Sequence, residues 1–204
     1  MYLGWPKCAS SWLYDNLSAL GISSIGNCKE SHLWYTDPES ALREYKKTSG
    51  DIIVDFSTNN WSMDSYVAKK AADLFDYFIL IHRNPAEVVA SYHEMLDNDW
   101  NRWQESCLTN NLCNTGDTLL RWDSIVGNKL KVYEYTDIKN HNQTFLNKIA
   151  EDLSISLLKN NEKSPNKSSR KHKKINNIDL INLINSQELL FYNTLQRKNY
   201  NEFF

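Results

Sequence analysis

Residues 4–12 read GWPKCASSW, and the sequence first offers chemistry here. Lys7 sits in a Gly-Trp-Pro-Lys turn, and Ser10 and Ser11 follow at the start of a helical pattern marked by Trp12, Leu13, Leu17 and Leu20. A helix start leaves N–H groups unpaired and partly positive, so amides, a lysine and two hydroxyls together suit an anion, above all a phosphate. The nucleoside-triphosphatase pattern GxxxxGK[ST] is absent, because the lysine comes early and no Gly-Lys-Ser follows it. A basic stretch, KNNEKSPNKSSRKHKK at 159–174, has two readings: a solvated connector, or a cationic flap over the anion site. No metal motif accompanies these groups. The four cysteines (Cys8, Cys28, Cys107 and Cys113) show no CxxC spacing, and His93-Glu94 lacks a second histidine at zinc-helix spacing. Cys107 and Cys113 are close enough in sequence to close a small loop, but free thiols are the expectation.

The elements that must position these groups alternate between strand and helix. Residues 1–4, 21–26, 51–56, 77–82 and 129–135 read as strands; DIIVDF and YFILIH are continuous apolar runs, the mark of strands buried on both faces. Helical patterns cover 37–47, 62–72, 117–124, 141–153 and the run from Ile178, IDLINLINSQELLFYNTL. Another begins at RNP, where Asn84 caps, Pro85 suits the first helical position and Glu87 completes a capping box. The expected fold is α/β: three layers, α/β/α, with a mostly parallel central sheet and a P-loop-like strand-loop-helix at the N-terminus. The whole chain, 1–204, reads as one domain. Ligands in such sheets sit beyond the carboxyl ends of the strands, which gathers Lys7, residues 28–32, residues 57–60 and Arg83 along one edge.

Pro6-Lys7-Cys8-Ala9-Ser10-Ser11-Trp12-Leu13 resembles the first loop of the sulfotransferases that use 3′-phosphoadenosine-5′-phosphosulfate (PAPS), P-K-x-G-T-T-x-L, with Ala9 in place of the glycine. Arg83-Asn84-Pro85 followed by Ser91 resembles their second signature, R-[ND]-P-x-x-x-x-x-S, and it follows a buried strand as theirs does. Lys29-Glu30-Ser31-His32-Leu33-Trp34 is similar to the K-E-x-H-[FY]-[FW] segment of the glycosaminoglycan-type and bacterial carbohydrate enzymes, whose glutamate is the base. The resemblance implies PAPS as donor, 3′,5′-ADP (PAP) as product and no metal. By the same resemblance Lys7 bridges the 5′-phosphate, and Cys8, Ala9, Ser10, Ser11 and Trp12 form its cradle. Arg83 and Ser91 take the 3′-phosphate, and Lys167, Ser168, Ser169, Arg170 and Lys171 belong to a closing loop. Lys7 and Glu30 are the catalytic pair so implied, with Glu30 as general base; the other reading of Glu30 is a solvated carboxylate paired with Lys29. His32, Ser57, Asn59, Asn60, Trp100 and Trp103 are the candidate acceptor contacts. The family's K-[ST]-P-x-Y stretch is replaced by Asp55-Phe56-Ser57-Thr58-Asn59-Asn60-Trp61, without lysine or proline, so the acceptor is expected to be a neutral, hydroxyl-rich carbohydrate or other small molecule. His82 is read as structural.

The net charge of −2 argues against general nucleic-acid binding, which needs a broad basic face. No apolar run is long enough for a membrane span and no signal-peptide pattern opens the chain, so a cytoplasmic location is expected. Few loops remain to define an acceptor pocket, which leaves room for a second copy of the chain to complete it. Two further readings stay open: a P-loop kinase or nucleotidase, and a non-catalytic nucleotide- or glycan-binding protein on the same fold.

Overall fold

The apolar runs near residues 21, 51, 77 and 129 do become strands, and they pair in parallel. The computed structural model describes residues 1–18, 21–96, 99–156 and 173–197. Strands β1 (Ser23–Ser24) and β2 (Ile53–Val54) form one ladder, and β3 (Phe78–His82) and β4 (Leu130–Glu134) another, with Phe78 opposite Leu130 and His82 opposite Glu134. Residues 1–3 run between the ladders. The Tyr2 amide donates to the Asp55 carbonyl (2.9 Å), the Leu3 amide to the Ile79 carbonyl (2.6 Å), and the Ile79 amide to the Met1 carbonyl (2.8 Å).

Alternation along the strands gives the sheet its two covered faces. On one, Phe78 meets Trp122 of α7 (Thr115–Val126) at 5.6 Å between ring centroids, and His82 stacks on Phe191 of α9 (Ile178–Arg197) at 4.0 Å. On the other, Tyr133 meets Phe145 of α8 (Tyr135–Asp152), which also touches Trp12 of α1 (Ser10–Ser18). The expected three-layer α/β arrangement is the one observed. Helices α7 and α9 approach closely at Gly116, where a Cβ would lie 2.7 Å from the Gln187 carbonyl. No helix among the described residues is long and apolar enough to cross a membrane.

Element boundaries moved where side chains, and not periodicity, set them. The run 21–26 pairs only at Ser23–Ser24, because Gly26 turns the chain with a φ of 69° into a short 3-10 turn. The helix expected from residue 62 starts at Ser65, since the Asp64 carboxylate accepts from the Tyr66 amide (2.7 Å); it is α4 (Ser65–Ala72). Helix α8 extends back from 141 to Tyr135 across a kink at His141. Two helices were not foreseen, α2 (Leu33–Thr36) and α6 (Trp100–Thr109). The second is capped by Asp99, which accepts from the Asn101 and Arg102 amides at 3.0 Å each. Helices α3 (Pro38–Lys47) and α5 (Pro85–Leu96) match their patterns, and the Asn84 side chain caps α5 through the Ala86 amide (3.0 Å). All four cysteines are free thiols, so Cys107 and Cys113 do not pair.

Candidate active site

The turn at 4–9 is held from beneath. The Tyr2 ring folds under Gly4 and its hydroxyl donates to the Cys8 carbonyl (3.0 Å); a Cβ on Gly4 would sit 2.1 Å from that hydroxyl. Lys7 and Ala9 both adopt left-handed backbone, φ 67° and 61°, which explains why glycine is the easy residue at position 9. The Leu13 amide then bonds the Ala9 carbonyl (3.0 Å), and α1 is under way. Cys8 is buried, so only its backbone is on offer; burial pushes its thiol up to about 12 against the lowering pull of Arg83. Ser11 is exposed, Ser10 is buried, and Trp12 packs into the core against Phe145.

Arg83, just past β3, closes on this turn. One guanidinium N–H donates to the Lys7 carbonyl (2.7 Å), Nε pairs with Glu87 (3.1 Å), and the plane lies over the Tyr135 ring, 4.4 Å from its centroid. Three contacts fix its direction. The Lys7 ammonium rests 3.1 Å from the Met95 sulfur on α5. Ser91, two turns into the same helix, is buried. Residues 167–171 lie outside the described residues. A cavity of about 250 Å³ opens beside this corner, lined by Tyr133, Glu134, Asp137, His141, Phe145 and Lys148.

Across the edge, residues 29–32 and 55–60 are laced together by side chains. Asp55 is buried, and its Oδ1 accepts from the Ser57 amide (2.8 Å) and the Asn60 side-chain amide (2.9 Å), while Oδ2 accepts from the Ser31 hydroxyl (2.8 Å). Ser57 Oγ accepts from the His32 amide (2.8 Å), and His32 Nδ1 lies 2.8 Å from Asn59 Oδ1. The Thr58 hydroxyl donates to Glu30 Oε2 (3.0 Å). Ser57 and Asn60 are completely buried; the Ser57 amide and hydroxyl and the Asn60 side-chain N–H groups are used within this lacework, while Asn60 Oδ1 has no hydrogen-bond partner among the described residues. Trp103 is likewise a core residue, donating its indole N–H to the Val89 carbonyl (2.9 Å). Trp100 is half-buried, beside His93 and Lys173.

Glu30 is 29 % exposed, its Oε1 in an ion pair with Lys29, and its Oε2 3.5 Å from His32 Nε2. Burial alone would raise its pKa; the hydrogen bonds and charge of Lys29, with Thr58 and His32, outweigh burial and bring it below the ordinary carboxylate value. Lys29 also donates to Ser10 Oγ (3.0 Å), so one ammonium spans the two sides of the edge. That bridge was not anticipated, nor was Asp55; an acidic residue closing the buried run IIVD was the available signal, since a buried carboxylate needs donors. His82 is buried between Glu134 (Nδ1, 3.1 Å) and Glu188 (Nε2, 3.5 Å), tying α9 to the sheet. Among the described residues no cluster of His, Cys, Asp or Glu is arranged to hold a metal ion.

No family model and no curated protein matches the sequence. Among solved structures, the chain superimposes on a sulfotransferase from Alicyclobacillus acidocaldarius with a TM-score of 0.66, covering 94 % of each chain at 13 % identity. The fold is the sulfotransferase fold. A mouse sulfotransferase, SULT7A1 complexed with PAP, shares it at a TM-score of 0.51 and 16 % identity, over 94 % of this chain and 64 % of the mouse chain. The turn around Lys7 and Arg83 therefore sit on a sulfotransferase-fold scaffold.

Proposed function

We propose that this chain is a sulfotransferase that moves the sulfuryl group of PAPS to a hydroxyl or amine of a carbohydrate or other small acceptor. The observation that carries the reading is the junction of Arg83 with the turn that carries Lys7 and opens α1, with Glu30 joined to the same helix start through Lys29. The likeness in fold to two sulfotransferases, one of them complexed with PAP, supports the same donor.

In this reading the amides around Cys8 to Ser11, with the Ser10 and Ser11 hydroxyls, take the 5′-phosphate. Lys7 leaves the Met95 sulfur, a weak acceptor, for the bridging oxygen where negative charge develops. Arg83 and Ser91 take the 3′-phosphate, and Lys167, Ser168, Ser169, Arg170 and Lys171 close over the nucleotide. Glu30 accepts the acceptor's proton while His32, Asn59 and Trp100 contact the acceptor. These cations supply the charge the transfer requires, and the mechanism proposed has no step for a metal. Nothing in it calls for nucleic acid or a membrane, and a cytoplasmic enzyme, alone or as a homo-oligomer, fits it.

Calorimetric titration tests this directly. Metal-independent binding of 3′,5′-ADP that weakens at least about tenfold in both Lys7→Ala and Arg83→Ala is the expected result, each variant losing a charge-assisted contact. Binding of ATP with magnesium in its place would overturn it.

A further inference from the structure

The ammonium of Lys29 touches both halves of the site. It donates to Ser10 Oγ at 3.0 Å, on the first residue of α1, and is paired with Glu30 Oε1. The side chain is only 20 % exposed, so its choice of partner lies within the site. Its position is fixed by the backbone as well, since the Phe56 amide donates to the Lys29 carbonyl (3.2 Å). Lys7, in contrast, points to Met95 on α5 and makes no contact with Glu30.

We propose that Lys29 is a further catalytic residue, a counter-ion that holds Glu30 until the donor binds and then moves onto the donor's sulfuryl oxygens. This rests on the sulfotransferase reading above. A phosphosulfate seated on the amides at the start of α1 brings anionic oxygens to the Ser10 hydroxyl, and so to the ammonium already bonded there. Lysine suits the exchange, being a flexible point charge with three donors. While Lys29 sits on Oε1 and Thr58 on Oε2, both oxygens of Glu30 are engaged, and the carboxylate is a poor base. Departure of Lys29 frees Oε1 and strengthens the base only when there is a group to transfer. The acceptor O–H then gives its proton to Glu30 as the acceptor oxygen forms the new O–S bond. The S–O bond to the 5′-phosphate breaks, its electron pair stays on the phosphate oxygen, and PAP leaves.

The test follows release of 3′,5′-ADP from PAPS, with water as acceptor, across about pH 4 to 9 for wild type, Lys29→Met and Lys29→Arg, alongside 3′,5′-ADP titrations. Lys29→Met is expected to lose about 100-fold in turnover while 3′,5′-ADP affinity falls less than about tenfold. Its acid limb in kcat/KM for PAPS, which reads the donor-free enzyme, shifts to higher pH, because there the carboxylate has lost the partner that held it ionised, and Lys29→Arg recovers part of the rate. Turnover within about threefold of wild type, or an unmoved acid limb in kcat/KM, overturns the proposal. So does a Lys29→Met variant that loses 3′,5′-ADP as fully as Lys7→Ala, which would make Lys29 a nucleotide-binding residue only. A wild-type protein that fails to bind 3′,5′-ADP is a different result, and it removes the sulfotransferase reading itself.

Discussion

The two sides of the sheet edge are built by different means. The side of Lys7 and Arg83 is mostly main chain: a turn with two left-handed residues, a helix start, and a guanidinium pinned to a carbonyl. The side of Glu30 is mostly side chain, with Asp55, Ser57, Asn60, Ser31, Thr58 and His32 bonded to one another. A main-chain site constrains few residue types but fixes their spacing, whereas a side-chain lacework ties each residue to its particular neighbours. Under the proposed function the first would take the donor's phosphates and the second the acceptor, with Lys29 joining the two.

The sharpest way to break this comparison is Glu30→Gln, which keeps the shape of the lacework and removes the base. Turnover should fall about 10³-fold with 3′,5′-ADP affinity nearly unchanged, as read by steady-state kinetics and calorimetry. Asp55→Ala comes next. It orphans the Ser57 amide, removes the acceptor of the Ser31 hydroxyl and leaves the Asn60 side-chain amide only the Tyr2 carbonyl, so denaturant unfolding should show a loss of about 3 kcal/mol, with the Glu30 side failing before the Lys7 side. Arg83→Ala should weaken 3′,5′-ADP by about 2 kcal/mol, roughly 30-fold, with little effect on stability. At the small end, Ala9→Gly relieves a left-handed alanine, and thermal unfolding should find the variant unchanged or stabilised by up to about 1 kcal/mol.

Two carboxylates give the sides opposite pH signatures. Glu30 has a lowered native pKa, so its contribution to stability is present above the ordinary value of 4.5 and lost as pH falls through the native one. Burial raises Glu188, with His82 pulling it down and Glu134 pushing it up; its contribution is present below 4.5 and lost as pH rises through its native value. Glu188→Gln should therefore flatten the loss of stability on the alkaline side of 4.5, and Glu30→Gln the loss on the acid side, in unfolding curves taken across pH.

The same difference decides what could be read from the sequence. The layers, the parallel strands and the turn around Lys7 were legible because buried runs such as YFILIH and helix punctuation such as RNP are local signals. Asp55 and the bridge from Lys29 to Ser10 were not, because each depends on partners brought together from separate segments. Ser57 and Trp103 carried the right functional groups, and only the structure showed that those groups are buried and bonded inside the protein. Helix α6 escaped notice because its apolar positions, Trp103 and Cys107, are set among polar neighbours; its capping Asp99 was the available clue.

Residues 1–3 find their partners at Asp55 and Ile79, so the middle of the sheet cannot assemble on a ribosome until the chain through Ile79 has emerged. Until then the turn around Lys7 has a helix after it but no neighbouring strand, and Arg83 is still to come. A nascent chain of this protein thus holds no half-made edge: the junction of Arg83 with the Lys7 turn and the topology that carries it wait for the same long-range pairing, and pairing over such separations is slow.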